Sequence, residues 1–388
     1  MIDVQGDKMR NVRIGVDRSG TMAGLRRTID GLTRHDAIES LLLFSAGNAE
    51  YPLNEMNKLL KRQERPVMGG VVPSVQGPDG EIIDAGAVVV GLPVGFRGCR
   101  FVSEKDVESG DLERCLSDLC MGQGGTLLVL ADAESARTQE ILAKLFDNAG
   151  LGVNYVGGGT GTLAFDGRKS LYAGNRVVGG GLVVGYLPYR SGIGVAHGCV
   201  PVSEPLRVTS SGGRCIRYLD GRPASDVYEA IVHNHGRVAR AEEFHRFAPR
   251  YPIGICRISG EPTVRDPIDI DYASGTVTCV SEVPEGSYVQ VLYTDYDDLI
   301  QAAETSKNDA VAKSFGTIMP ELGIVFDCVS RSYALNRQNR SVPITLRERM
   351  PVVGIHSIGE IANDGGDFLE FLNKTVVTAV MGGPCDAQ

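Results

Sequence analysis

The sequence has no tryptophan, and its aromatic content is only 6%. Platforms on which nucleobases stack are therefore scarce. It also lacks positive charge: 39 Lys and Arg stand against 48 Asp and Glu, leaving −9 at pH 7. That balance excludes the basic footprint a phosphate backbone requires, so no nucleic-acid partner is expected. Its longest apolar region, VVGGGLVVGYLPY, is short and broken by glycines, so no membrane helix is expected. The stretch MIDVQGDKMRNVRIGVDRSG has no apolar centre of the kind a secretion signal carries. The nine cysteines are spread out, odd in number and include no CxxC pair. Reduced thiols in a cytoplasmic protein are the expectation.

What is abundant is glycine, 49 residues in 388. This points to many tight turns between strands rather than to a helical bundle. The length allows two or three domains around a large core. Self-similarity organises the chain. Residues 36–93 run SLLLFSA, LNEMNKLLKRQE, PVMGGVVPS, GPDGE and AVVVGLP. Residues 125–188 run GTLLVLADA, ARTQEILAKLFDNAG, VNYVGGGTG, DGRKS and GLVVGYLP in the same order. A diverged third copy runs LGIVFDCVSR, PVVGIHSIGEIA and KTVVTAVMGG. Each unit reads strand, helix, strand, glycine turn, strand. The first two strands of a unit need a crossover and are expected to be parallel, with the third returning antiparallel. The predicted fold class is α/β: layered mixed sheets built from repeated strand-helix-strand-turn-strand units, with helices packed outside. The expected divisions are a lead-in over 1–35, an N-terminal segment over 36–247 and a C-terminal segment over 248–388.

The stretch GGGTGT at 157–162 fits part of G-x-G-x-x-A through Gly159, Gly161 and Ala164. A dinucleotide site needs a helix next, yet FDGRKSLYAGNRVV reads as a hairpin. A turn that ends the middle strand is the better reading. Equivalent places hold MGGVVPS and HSIGEIA, so the three exits could line one pocket at strand C-terminal ends. Between units, YRSGIGVAHGCVPVSEPLRVTSS reads as a loop leading into a strand, and residues 248–300 as a β-rich block ending in a helix.

Arg331 follows a buried-looking strand, where a guanidinium can grip a carboxylate with a fork or form a structural ion pair. Glu360 follows another strand and could hold an ammonium or pair with Arg331. Asn373 precedes the last strand and offers an amide, or caps a turn. With Gly157, Gly158, Gly159 and Thr160 supplying backbone donors, these make a candidate pocket for an amino-acid-like ligand. Cys328 and His356 are candidates for nucleophilic chemistry; as a core residue, a strand cysteine is merely a small hydrophobe. Whether the chain is an enzyme stays open, leaning against. HNHGRVARAEEFH reads as a solvated polar segment, and no histidine set has zinc spacing.

Taken together, GGGTGT (157–162), GVAHGCVPVSEPLRVT (194–209), LDGRPASDVY (219–228), VRDPIDID (264–271), PEGSYVQVL (284–292), FDCVSR (326–331), GIHSIGEIA (354–362) and NKT (373–375) resemble the FIST family (F-box and intracellular signal transduction), in both its N- and C-terminal segments. The resemblance implies a sensory, signal-transduction module that binds a small ligand such as an amino acid. It also implies a second possibility, haem: a nitric-oxide sensor acting on a partner histidine kinase. His197 and His356 are then the axial candidates, although no CxxCH is present. Because the two segments take up nearly all of the sequence, signalling is expected to run through contact with another protein.

Overall fold

The computed structural model describes residues 12–109, 119, 124–236, 244–258, 260–314, 318–335, 344–348, 350–363 and 369–384. Runs such as Ser40–Ala46 and Thr126–Asp132 are largely apolar and buried along their whole length, as central strands of a covered sheet must be. They form the middles of three six-stranded sheets.

The first sheet runs Arg13–Asp17, Ala87–Leu92, Ser40–Ala46, Val67–Val72, Leu171–Ala173, Arg176–Val178. The second runs Cys99–Ser103, Gly181–Leu187, Thr126–Asp132, Asn154–Thr160, Glu360–Ala362, Glu370–Leu372. The third runs Tyr189–Ala196, Val376–Pro384, Leu322–Cys328, Val352–Ser357, Ser74–Gln76, Ile82–Ile83. In each, the two central strands are parallel. The strand on their other flank returns antiparallel. The chain is thus α/β with mixed sheets.

The hairpins are exchanged in a ring. The hairpin that follows Val67–Val72 extends the third sheet. The one that follows Asn154–Thr160 extends the first, and the one that follows Val352–Ser357 extends the second. One apolar core unites the sheets, with Phe44 of the first edge-on to Phe326 of the third at 6.1 Å. A fourth, nine-stranded sheet is built from residues 200–293, with helix Ala224–Gly236 on its apolar face.

Two stretches differ from the sequence reading. Residues 12–33, expected to be a lead-in, supply an edge strand of the first sheet and the helix Met22–Thr33, capped by Thr21 on the Gly24 N–H. Residues 189–196, read as a loop, form a strand. Its glycines serve close packing rather than a turn. A Cβ on Gly192 would fall 2.1 Å from the Ala310 carbonyl oxygen, and one on Gly194 1.8 Å from that of Ser306. The helix Tyr296–Ser314 lies directly on this strand through its small face, Ala302, Ala303, Ser306 and Ala310.

Candidate functional site

The third sheet ends differently from the other two. Strand Leu322–Cys328 closes on Asp327 and Cys328, and the short helix Val329–Ala334 begins at once. The turn folds Arg331 back beneath the strand end. Its Nε donates to Asp327 Oδ1 at 2.8 Å, and its Nη2 donates to the Leu299 carbonyl at 2.8 Å. Arg331 is fully buried, as is Asp327. The pair therefore bridges the third sheet to the helix Tyr296–Ser314.

Glu360 opens the hairpin that joins the second sheet and is fully buried. Its Oε1 accepts from Ser357 Oγ at 2.9 Å and its Oε2 from the Thr375 N–H at 3.2 Å. Burial pushes its carboxyl well above the usual range. The Thr375 bond ties Glu360 to the turn Asn373–Lys374–Thr375. There Lys374 adopts the left-handed region, φ 53°, while fully buried. A bulky residue held there is strained. Lys374 Nζ is ion-paired with Asp266 Oδ1 at 3.0 Å. Burial opposes the ammonium charge, but Asp266, with Cys199 and Cys328 nearby, holds Lys374 above its ordinary value.

His197 and Cys199 border the same cluster. His197 Nδ1 accepts from the Cys199 N–H at 2.9 Å. Its Nε2 is 3.1 Å from Glu261 Oε2, but that carboxylate is 68% exposed and screened. Burial, with Arg331 and Arg257 nearby, dominates and lowers the imidazole to about 4. The Cys199 thiol is pushed up to about 12 by burial.

Besides the ion-paired Asp266 Oδ1 and Lys374 Nζ, three buried polar atoms of this cluster have no hydrogen-bond partner: Asp327 Oδ2, Arg331 Nη1 and Asn373 Oδ1. Each such atom costs about 1–3 kcal/mol when left unsatisfied. A buried group of donors and acceptors this open is suited to a small zwitterion or to ordered water.

Arg331, Glu360 and Asn373 thus end in one neighbourhood, joined by Asp266 and Lys374, which sequence reasoning had not singled out. Asp266 lay inside the quoted VRDPIDID, and Lys374 inside NKT. Glu360 is in register with Gly158, in the row that begins at Leu130. The corresponding hairpin residues elsewhere are Leu171 and Val75. A carboxylate where both counterparts are apolar is the signal that marks this position.

The glycines hold a different place. Gly157, Gly158 and Gly159 lie within strand Asn154–Thr160, not beyond its end. A Cβ on Gly157 would fall 1.7 Å from the Val129 carbonyl oxygen, and one on Gly158 would meet the Ser357 side chain at 2.8 Å. Gly159 donates its N–H to Gly359. Thr160 Oγ1 donates to the Ala131 carbonyl and pairs with Ser170 Oγ. These residues bring strands close together.

Cys328 and His356 are not brought together. His356 is in register with Asp327, and Cys328 with Ser357, so alternation sends the two side chains to opposite faces of the sheet. Burial pushes the Cys328 thiol up to about 12, and Ser330 Oγ contacts its sulfur at 3.2 Å. His356 Nδ1 instead lies 2.6 Å from Ser74 Oγ. The donor set fits haem at neither histidine. His197 is enclosed by arginines and polar backbone, and His356 is bonded to Ser74 inside a β-ladder. The two described cavities, about 410 and 160 Å³, are lined by neither.

The comparisons agree with this architecture. The FIST N domain model matches residues 40–222 and the FIST C domain model matches residues 224–363. The chain belongs to the FIST family, whose domains are associated with signal transduction and sensing. No curated protein matches the sequence. Among the described residues no helix is long and apolar enough to cross a membrane.

Proposed function

We propose that the chain is a sensor of a small zwitterionic metabolite of the amino-acid class, bound at the strand ends of the third sheet. The observation that carries this reading is the set of unsatisfied buried atoms around Arg331 and Asn373. Arg331 Nη1 is a donor matched to a carboxylate. Asp327 Oδ2 and Asn373 Oδ1 are acceptors matched to an ammonium. Glu360 is already engaged by Ser357 and the Thr375 N–H and frames the cluster rather than binding the ligand. The cluster is closed, so entry requires a local opening, and occupancy would order the strand ends that frame it. Such ordering is what a partner protein such as a histidine kinase could read. The threefold similarity of sheet order supports an internal repeat in which only the last unit carries the polar cluster.

Native mass spectrometry of freshly purified protein, followed by thermal shifts against the proteinogenic amino acids, tests the reading. A bound mass, or a rise in melting temperature that Asn373→Ala removes, is the expected result. A bare chain that no amino acid stabilises overturns it. Asn373→Ala is preferred to Arg331→Ala because removing Arg331 strands Asp327, a loss of about 3–5 kcal/mol in stability by itself.

A further inference from the structure

We propose a second site, at the Ser74 edge of the third sheet: a serine nucleophile, Ser74, with His356 as its base. The register places Ser74, His356 and Asp327 in one row across adjacent strands. Asp327 is opposite His356 in the parallel pair, and His356 is opposite Ser74 in the antiparallel pair. Residues in register share a face, so imidazole and hydroxyl stand side by side as a base and its nucleophile do, while the Asp327 carboxylate is engaged by Arg331. Ser74 Oγ is 2.6 Å from His356 Nδ1, within the reach a base needs. The row exists once. The corresponding rows are Ser45, Val71, Ser170 and Ala131, Gly159, Gly359.

Ser74 also lines a cavity of about 160 Å³ where all three units meet. Asn48, Thr162 and Ser332 line it too, and the buried Thr162 Oγ1 has no hydrogen-bond partner. An orphaned hydroxyl beside the serine is a place for a substrate oxygen. The volume selects a small acyl or phosphoryl group, so the class of substrate is a short-chain ester. In the step, Ser74 Oγ bonds to the carbonyl carbon as its proton passes to His356 Nδ1. The C–O bond to the leaving alcohol then breaks, and the alcohol takes that proton. Water, giving its proton to the same imidazole, then bonds to the acyl carbon; the bond to Ser74 Oγ breaks, Ser74 takes that proton back, and the acid leaves.

The test is exposure of the whole chain to a small dialkyl fluorophosphate, read by intact mass and peptide mapping. The P–O bond to Ser74 forms, fluoride leaves, and the serine proton goes through His356 to solvent. The expected result is one adduct on Ser74 that forms faster as pH rises and then levels off. It is absent in Ser74→Ala and at least tenfold slower in His356→Gln. Labelling absent from Ser74, or equally fast in a folded His356→Gln, overturns the proposal. Should His356→Gln fail to fold by circular dichroism, the map of the wild-type adduct and its pH profile decide.

Discussion

A single methyl group at residue 157 would press on the backbone of the neighbouring strand, 1.7 Å from the Val129 carbonyl oxygen. A side-chain neighbour could rotate away; a ladder carbonyl cannot. Gly157→Ala is therefore expected to lower stability by about 3 kcal/mol, the upper range for overpacking, measured as the shift in urea midpoint. His197 makes a second prediction at this scale. Its folded value of about 4 lies below the ordinary 6.5. The group therefore stabilises the fold fully above pH 6.5, and that contribution is lost as pH falls toward 4. The loss is at most about 3 kcal/mol. Urea midpoints across pH 4–7 should fall on acidification, and His197→Gln should flatten the fall; an unchanged slope would place the effect elsewhere. Glu360, raised instead, contributes in the opposite sense, its stabilisation fading as pH rises above the ordinary carboxyl range. Cys328 supplies a third test. With its thiol at about 12, only about one in ten thousand is thiolate at pH 8. Iodoacetamide should modify it at that pH in denatured protein alone.

Elements show where sequence patterns speak and where they fall silent. Runs such as SLLLFSA and TLLVLAD carry their own strand signal, because burial on both faces requires continuous apolar residues. The helix signals at Leu53–Lys61 and Thr138–Ala149 were equally local. The strand Tyr189–Ala196 was not legible, because its glycines look like turn residues until the helix that lies on them is known. The same holds for GGGTG, whose glycines allow close approach to Val129 and Ser357. Arg331, Glu360 and Asn373 stood out as polar groups at strand ends. Asp266 and Ser74 did not, because their partners Lys374 and His356 are distant in sequence. Gly194 turns this into a prediction. A Cβ there meets the Ser306 carbonyl at 1.8 Å, so Gly194→Ala must push the helix Tyr296–Ser314 off the third sheet. Since Arg331 Nη2 holds the Leu299 carbonyl of that helix, amide exchange should quicken in both the helix and residues 327–331. Exchange confined to the helix would show that the Arg331 bridge does not couple them.

For the whole molecule, the ring of exchanged hairpins decides how the chain folds. Each sheet is completed by a hairpin from another unit, and the third sheet needs Ser74–Gln76 and Tyr189–Ala196 from the region matched as FIST N. The second sheet needs Glu360–Ala362 and Glu370–Leu372 from near the C-terminus. A cut between the two family segments would leave the strand Asn154–Thr160 with an open edge in one piece. In the other piece Val352–Ser357 would keep Leu322–Cys328 but lose Ser74–Gln76 from its second edge. Exposed central edges and half of a shared core do not hold a native state. Fragments 1–222 and 223–388, made separately, are expected to give no cooperative melt by circular dichroism. The two mixed during refolding should regain one. Should either fragment melt cooperatively alone, the sheets would be independent units and the exchange merely a surface contact. A single cooperative unit also explains how occupancy at one strand end could be felt elsewhere. Ordering around Arg331 and Glu360 acts on the third and second sheets at once, because Glu360 begins the hairpin that one unit lends to the other.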